Sequence, residues 1–179
     1  MKNIILSDKE FSLFIPASDI RLTVKRIAEK INHDYTDKEI VLLAVMNGAV
    51  IFAADLIRKI KVPCKLSCVR VSSYHGDCST GNIQWGISFD ADALKGKHVI
   101  VVEDIVDSGT TMECLVRELK AIKPASVAVA TLLFKPQSYI RQSLKLDYVG
   151  YEISDHFVIG YGLDYNGMGR QLEDIYRTV

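Results

Sequence analysis

The apolar positions along this chain follow two spacings, one typical of helices and one typical of buried strands. Apolar residues recur at helical spacing over residues 18–32, which predicts a helix with Ser18 as its N-cap. The same spacing predicts helices over residues 50–60 and 112–119. Short runs that are apolar throughout or rich in strand formers predict buried strands. They are residues 41–45, 66–73, 99–102, 126–134, 148–152 and 157–162.

Strands that alternate with helices predict an α/β fold, in which helices cover both faces of a mainly parallel sheet. In such sheets, ligands bind beyond the carboxyl ends of the strands. Four stretches fall at that edge: the turn after residue 45, the polar residues 74–84, the acidic residues after 102 and the turn at Lys135. We expect them to form one pocket. No repeat, linker or low-complexity tract divides the chain, so residues 1–179 are expected to form a single domain.

The charges of the chain are balanced, with 22 basic and 22 acidic residues and a formal net charge of zero. Because no basic run stands out, a nucleic-acid partner is not expected. The N-terminal residues lack a signal-peptide pattern, and no apolar stretch approaches the roughly 18 residues that would span a membrane. We therefore expect no membrane contact, a cytoplasmic location and reduced thiols. The cysteines and histidines show no spacing typical of a zinc site.

Most of the candidate chemistry lies in one stretch, residues 99–111. Four apolar residues run into the carboxylates Glu103, Asp104 and Asp107, and small or hydroxylated residues follow up to the predicted helix. Backbone amides at a helix start bind anions, and Gly109 allows the chain to approach a phosphate closely. The carboxylates need a partner such as a divalent cation or ligand hydroxyls. The stretch favours a sugar phosphate with a metal-bound pyrophosphate over an ordinary loop whose Asp or Ser caps a helix.

Residues 103–111 resemble the phosphoribosyl pyrophosphate (PRPP) loop of type I phosphoribosyltransferases, in which two acids precede an acid-Ser/Thr-Gly-x-Thr segment. The resemblance covers residues 41–170 and is specific to the purine salvage branch, whose members act on hypoxanthine or on hypoxanthine and guanine. Its other pieces are residues 46–48, 73–74, 79–81, 132–135 and 151–166. It implies a mainly parallel twisted sheet flanked by helices, with a small hood formed by the terminal segments.

The resemblance also implies a reaction, in which a 6-oxopurine attacks C1 of PRPP, pyrophosphate leaves, and IMP or GMP forms. Hypoxanthine is the expected purine, with guanine as a further substrate. Mg²⁺ is the implied cofactor, because the charge of the leaving pyrophosphate must be neutralised. Small relatives usually self-associate, so a homodimer or homotetramer is expected.

By resemblance, Asp107 is the general base at purine N7, a role that needs a carboxylate pKa near the working pH. The resemblance also implies that the bond before Asn47 can be cis, which would turn an amide towards pyrophosphate. The implied metal ligands are Glu103, Asp104 and Asp164. The implied PRPP contacts are Glu103, Asp104, Asp107, Ser108, Gly109, Thr110, Thr111, Asn47, Gly48 and Arg170.

The implied purine contacts come from the C-terminal half of the chain. Lys135 suits purine O6, where negative charge accumulates as N7 loses its proton. Phe157 would stack on the purine, and the backbone of Val158 would contact the ring edge. Ser73 and Tyr74 belong to an implied lid, continuing over residues 74–84, that closes over PRPP and excludes water.

Each of these residues has an ordinary structural alternative. Asp107 alone could cap a helix, Lys135 could return to solvent, Phe157 could belong to the core and Arg170 could be solvated. Asn47 departs from the mammalian pattern, which has Lys at this position, so no side-chain ion pair with pyrophosphate is expected there. The competing functions are a xanthine- or guanine-preferring relative, a regulator that binds PRPP without catalysis, and a non-enzymatic nucleotide-binding module.

Overall fold

A five-stranded parallel sheet forms the centre of the computed structural model, which describes residues 3–71, 91–140 and 144–179. Its strands are β3 (Ile40–Met46), β4 (Cys64–Arg70), β5 (His98–Val106), β6 (Ser126–Phe134) and β7 (Tyr148–Glu152). The order across the sheet is β4-β3-β5-β6-β7, and every pairing is parallel. The predicted α/β fold with a mainly parallel sheet is confirmed.

Helices cover both faces of this sheet. Helices α1 (Ala17–Asp34) and α2 (Val50–Ile57) lie on one face and α4 (Thr110–Ala121) on the other, while the short α3 spans Ala91–Leu94. Alternate strand residues supply the two cores, because successive side chains of a strand point to opposite faces. Leu42 and Ile100 pack with α1 and α2, whereas Leu43 and Val101 pack with α4. Burial on both faces explains why β3 and the first half of β5 are apolar throughout.

The two chain termini form a second sheet, which we call the terminal sheet. It contains β1 (Asn3–Leu6), β2 (Lys9–Ile15), β8 (Val158–Ile159) and β9 (Ile175–Thr178). Its order is β1-β2-β9-β8, with antiparallel pairing throughout. The hood of terminal segments implied by the family resemblance is therefore present.

Three local predictions differ from the structure. Helix α1 has Pro16 at its N-cap, with Asp19 N donating to Pro16 O, so the prediction of Ser18 as the cap is wrong. Strand β5 continues to Val106, which places Glu103 and Asp104 on the strand rather than in a loop. Of residues 157–162 only β8 is a strand, because the residues after it, 160–162, adopt positive φ angles that extended strands do not allow.

Three further expectations concern the rest of the chain. None of the helices within the described ranges is both long and apolar enough to cross a membrane. Cys64 and Cys68 are free thiols, but Cys114 is disulfide-bonded, so the expectation of reduced thiols is wrong for Cys114. The predicted lid, with Ser73 and Tyr74, lies outside the described residues.

Candidate active site

The loops after β3 and β5 lie side by side at one edge of the parallel sheet. The chain leaves β3 for β4 on one side and returns with β5 on the other side of β3. Such a reversal of strand order opens a crevice beyond the carboxyl ends of the strands, where ligands bind in open α/β sheets. Residues 47–48 follow β3 and residues 103–111 end β5, so these two stretches flank the crevice.

Gly48 shows how closely the two stretches approach. A Cβ on Gly48 would lie 2.5 Å from the carboxyl carbon of Asp104, so a larger residue fits only if that carboxylate moves. The carboxylate is held by a hydrogen bond that Ile105 N donates to it at 2.8 Å. The Met46–Asn47 peptide bond is cis, as the resemblance implied. The amides of Asn47 and Gly48 donate to no other group in the described ranges, which leaves two donors beside a carboxylate.

The N-terminus of α4 forms the opposite wall of the crevice. Its N-cap is Gly109, in the left-handed conformation at φ 80°, and no side chain caps the helix. The helical hydrogen bonds begin with Glu113 N, which donates to Gly109 O at 2.9 Å. The alternative that Asp107 caps this helix is therefore wrong. A cavity of about 130 Å³ lies at this helix start and is lined by Glu103, Ile105, Val106, Asp107, Ser108, Gly109, Thr111 and Met112.

Glu103 and Asp104 form a close pair of partly buried acids. Burial raises the pKa of Glu103 well above its usual range, and the negative charge of Asp104 raises that pKa further. In the part of the chain that the structure describes, no three His, Cys, Asp or Glu side chains group into a metal site. Mg²⁺ is usually held by only one or two carboxylates, with water and substrate oxygens completing its shell. The acid pair therefore fits the cation that the resemblance implies.

Lys135 directly follows β6 and is buried, with 9% of its side chain exposed. Its Nζ lies 2.9 Å from Asp155 Oδ1 and 3.3 Å from Asp107 Oδ2. Burial acts to lower the pKa of Lys135, but the two carboxylates outweigh it, so the net shift of the pKa is upwards. The ammonium is therefore charged at neutral pH, and the alternative that Lys135 returns to solvent is wrong.

Phe157 extends from the start of β8 and is 43% exposed, so it does not belong to the core. Its ring packs against Tyr165, with the ring centroids 5.6 Å apart, and more loosely against Phe11 at 6.4 Å. Lys9 Nζ lies 5.3 Å from the ring centroid of Phe157. Val158 is buried and pairs with Arg177 of β9. The terminal sheet thus holds a partly exposed aromatic ring two residues after Asp155, which is a partner of Lys135.

Asp164 and Arg170 form an ion pair, at 2.6 Å between Asp164 Oδ1 and Arg170 Nη2. Arg170 Nη1 also donates to Gly162 O, and Gly167 N donates to the second oxygen of Asp164. Gly162 in turn borders the site, because a Cβ there would contact the carbonyl oxygen of Gly48. Arg170 is not simply solvated, since it fixes the segment that follows β8. Asp164 is not brought into one group of ligands with Glu103 and Asp104.

One residue of this site, Asp155, was not identified from the sequence. It lies between β7 and β8, two residues before Phe157, and is the nearer carboxylate partner of Lys135. The only local signal was an acid shortly before an aromatic residue, which is common in surface turns.

The comparisons with known proteins agree with this geometry. Residues 17–166 match the phosphoribosyl transferase domain. The five-stranded parallel sheet, the acid pair and the helix N-terminus at the strand-order reversal all lie within the matched residues. The class of protein is therefore that of the phosphoribosyltransferases.

Individual relatives narrow the class. A hypoxanthine-guanine phosphoribosyltransferase from Staphylococcus epidermidis is 37% identical, over 96% of this chain and 90% of that protein. A hypoxanthine phosphoribosyltransferase from Haemophilus influenzae is 36% identical, over 93% and 94%. A crystal structure of a hypoxanthine-guanine phosphoribosyltransferase from Bacillus anthracis has a TM-score of 0.86 at 37% identity, covering 94% of this chain and 96% of that one. The chain belongs to the phosphoribosyltransferase family, in its hypoxanthine-guanine branch.

Proposed function

We propose that this protein transfers the 5-phosphoribosyl group of PRPP to hypoxanthine, and also to guanine, giving IMP or GMP and pyrophosphate. The observation that carries the proposal is that an acid pair, a helix N-terminus without a side-chain cap and a buried Lys135 paired with Asp107 lie at the carboxyl ends of neighbouring strands. The names of the relatives support the same reaction.

The wall around α4 suits the phosphoribosyl part of PRPP. Backbone amides and hydroxyls of residues 107–111 would bind the 5′-phosphate, since a helix N-terminus with a glycine cap offers donors to an anion. Glu103 and Asp104 would meet the ribose hydroxyls and the cation. The amides of Asn47 and Gly48 would bind pyrophosphate, with further contacts from the segment that Arg170 and Asp164 hold together.

The purine side of the site suits a 6-oxopurine. Asp107 would accept the proton of purine N7 while Lys135 donates to O6, where negative charge develops. Both groups are already within hydrogen-bond reach of each other, so one purine edge can contact both. Phe157 would stack on the ring, a contact worth about 1–3 kcal/mol per base, and the backbone of Val158 would contact the ring edge.

Mg²⁺ is the proposed metal ion, with Glu103 and Asp104 as its protein ligands, whereas Asp164, the third ligand that the resemblance implies, is paired with Arg170 and lies apart from these two acids in the described structure. When bound, the ion neutralises charge on the departing pyrophosphate. A cytoplasmic location, self-association as a dimer or tetramer, and a single domain over residues 1–179 stay predictions, as does the lid. A PRPP-binding regulator is the second candidate function, but such a protein needs no buried Lys135 paired with Asp107.

Removal of divalent cations should abolish turnover. Two carboxyl groups cannot neutralise the negative charge of the leaving pyrophosphate, whereas a divalent cation can. The measurement is the rate of IMP formation from PRPP and hypoxanthine in excess chelator, followed by titration with Mg²⁺. Full activity in chelator contradicts the assignment of Glu103 and Asp104, whereas recovery with Mn²⁺ but not Mg²⁺ changes only the identity of the metal.

Adenine should be a much poorer substrate than hypoxanthine, by at least about 10²-fold in kcat/KM. The Lys135 ammonium only donates hydrogen bonds, so it cannot accept one from the 6-amino group of adenine. The assay offers hypoxanthine, guanine, xanthine, adenine and orotate separately with PRPP and Mg²⁺. Lys135→Gln should lower the ratio of kcat/KM for hypoxanthine to kcat/KM for adenine. Lys95→Gln, which changes an exposed lysine, should leave this ratio unchanged. Comparable turnover of adenine and hypoxanthine would refute both the role of Lys135 and the branch of the family.

A further inference from the structure

The ammonium of Lys135 joins two segments that come from different parts of the fold. Asp107 follows β5, and Asp155 belongs to the connection between β7 and β8 that also carries Phe157. The Lys135 backbone is fixed independently, because Lys135 N donates to Val106 O at 3.0 Å. Its side chain therefore spans the distance between the expected general base and the expected purine-stacking segment.

The two carboxylates do not share the ammonium equally. Asp155 is nearer, at 2.9 Å against 3.3 Å for Asp107. An ammonium has three N–H donors, so these two contacts leave one donor for a ligand. If Asp155 were absent, the buried cation would keep Asp107 as its only carboxylate partner in the described structure. Lys135 and Asp107 would then pair more closely. This pairing would occupy both the ammonium expected to donate to purine O6 and the carboxylate expected to accept the proton of N7.

We propose that Asp155 is a positioning residue, which holds the ammonium of Lys135 away from full pairing with Asp107 and at the place where it meets the O6 of a 6-oxopurine. The inference rests on the proposed function of this site and adds a residue to it. Asp155 acts through Lys135 and needs no contact with the purine.

The exposure of the two side chains favours this role over an ordinary surface ion pair. Exposed pairs contribute little to stability because water competes for both charges. Here the Asp155 side chain is 64% exposed, but that of Lys135 is only 9% exposed, so the cation depends on its protein partners. The charged groups that face Lys135 are Asp107 from the end of β5 and Asp155 from the β7–β8 connection, and both raise its pKa.

The first experiment measures kinetics of Asp155→Asn, Asp155→Glu and Glu152→Gln, each with hypoxanthine and PRPP varied separately. Glu152→Gln removes an exposed carboxylate at the end of β7, three positions before Asp155, and is the matched control. Asp155→Asn should lower kcat/KM for hypoxanthine about 10-fold, the usual effect of losing a hydrogen bond to a charged group, and leave KM for PRPP within about twofold. The alkaline limb of its pH profile should move to lower pH, because Lys135 loses a group that raises its pKa. Asp155→Glu should restore most of the loss.

The second experiment needs no enzymatic activity. Competitive acetylation of the free protein with acetic anhydride, followed by mass spectrometry, reports the pH at which Lys135 becomes reactive. Lys135 should react at lower pH in Asp155→Asn than in the wild type, and at unchanged pH in Glu152→Gln.

The outcomes separate this inference from the proposed function. Wild-type kinetics and unchanged Lys135 labelling in Asp155→Asn overturn the positioning role. Parallel losses for hypoxanthine and PRPP with a lowered melting temperature also overturn it, because a merely structural residue would act in this way. A wild-type protein that is inactive on every 6-oxopurine, but whose Lys135 labelling shifts in Asp155→Asn, refutes the proposed function and supports the positioning of Lys135.

Discussion

Asp107→Asn should lower kcat by about 10²–10⁴-fold while leaving PRPP affinity nearly unchanged. The amide has the shape of the carboxylate and still accepts hydrogen bonds, but it cannot take a proton from purine N7. The α4 N-terminus, with its glycine cap, stays intact because Asp107 is not the helix cap. Lys135 keeps Asp155 as a partner, so the substitution does not leave a buried cation alone.

The measurement pairs single-turnover rates with calorimetric titration of PRPP in the presence of Mg²⁺. Asp37→Asn serves as the control, because it makes the same chemical change at an exposed turn distant from the site. An unchanged kcat would show that Asp107 takes no part in proton transfer. A loss confined to PRPP affinity would instead make Asp107 a ligand of the ribose or phosphate.

The inner strands of the central sheet could be predicted because they are buried on both faces. Strands β6 and β7 have the predicted boundaries, and the nearly continuous apolar run of β6 is typical of a strand in a sheet covered by helices. Strand β5 was underestimated because it continues through Glu103 and Asp104, whose charges end an apolar pattern but not the ladder of hydrogen bonds with β6.

The terminal sheet could be expected only from the family resemblance. Strands β1 and β2 bury only Phe11 and Ile15, so their sequences show no strong apolar pattern. Strand β2 pairs with β9, whose residues lie more than 150 positions away in the chain, as for Phe11 and Thr178. Local sequence carries no information on such a pairing.

The candidate site likewise has residues that the sequence alone identifies and residues that only the fold brings together. Residues 103–111 could be recognised because strand end, acids and helix start are consecutive in the chain. Asp155 could not, because its importance arises only when the fold brings it to Lys135, 20 positions earlier. The close approach of Gly48 to Asp104 likewise depends on β3 and β5 being neighbours in the sheet, which strand order in the sequence does not reveal.

That close approach leads to the second large effect, in which Gly48→Val should lower kcat/KM for PRPP by about 10²-fold or more. A Cβ at this position would lie 2.5 Å from the Asp104 carboxyl carbon, so Asp104 must rotate and lose the hydrogen bond from Ile105 N. Displacement of a substrate-positioning group by about 1 Å is enough to cost about 10²-fold in rate. The substitution also crowds the two amides proposed to bind pyrophosphate.

Asn47→Ala is the matched control for Gly48→Val and should change kcat/KM for PRPP by less than about threefold, since the Asn47 side chain is exposed and bonds to no described residue.

Steady-state kinetics, thermal unfolding and calorimetric binding of IMP separate the effects of the two substitutions. Because IMP carries no pyrophosphate, Gly48→Val should lose less affinity for IMP than for PRPP, with a melting temperature close to that of the wild type. Equal losses for both ligands would mean that the displaced Asp104 and its ribose contact, rather than the pyrophosphate contact, explain the effect. A collapse of the melting temperature would mean that Gly48 supports the fold. If Asn47→Ala instead lowered kcat/KM for PRPP as strongly as Gly48→Val, the pyrophosphate contact would belong to the Asn47 side chain.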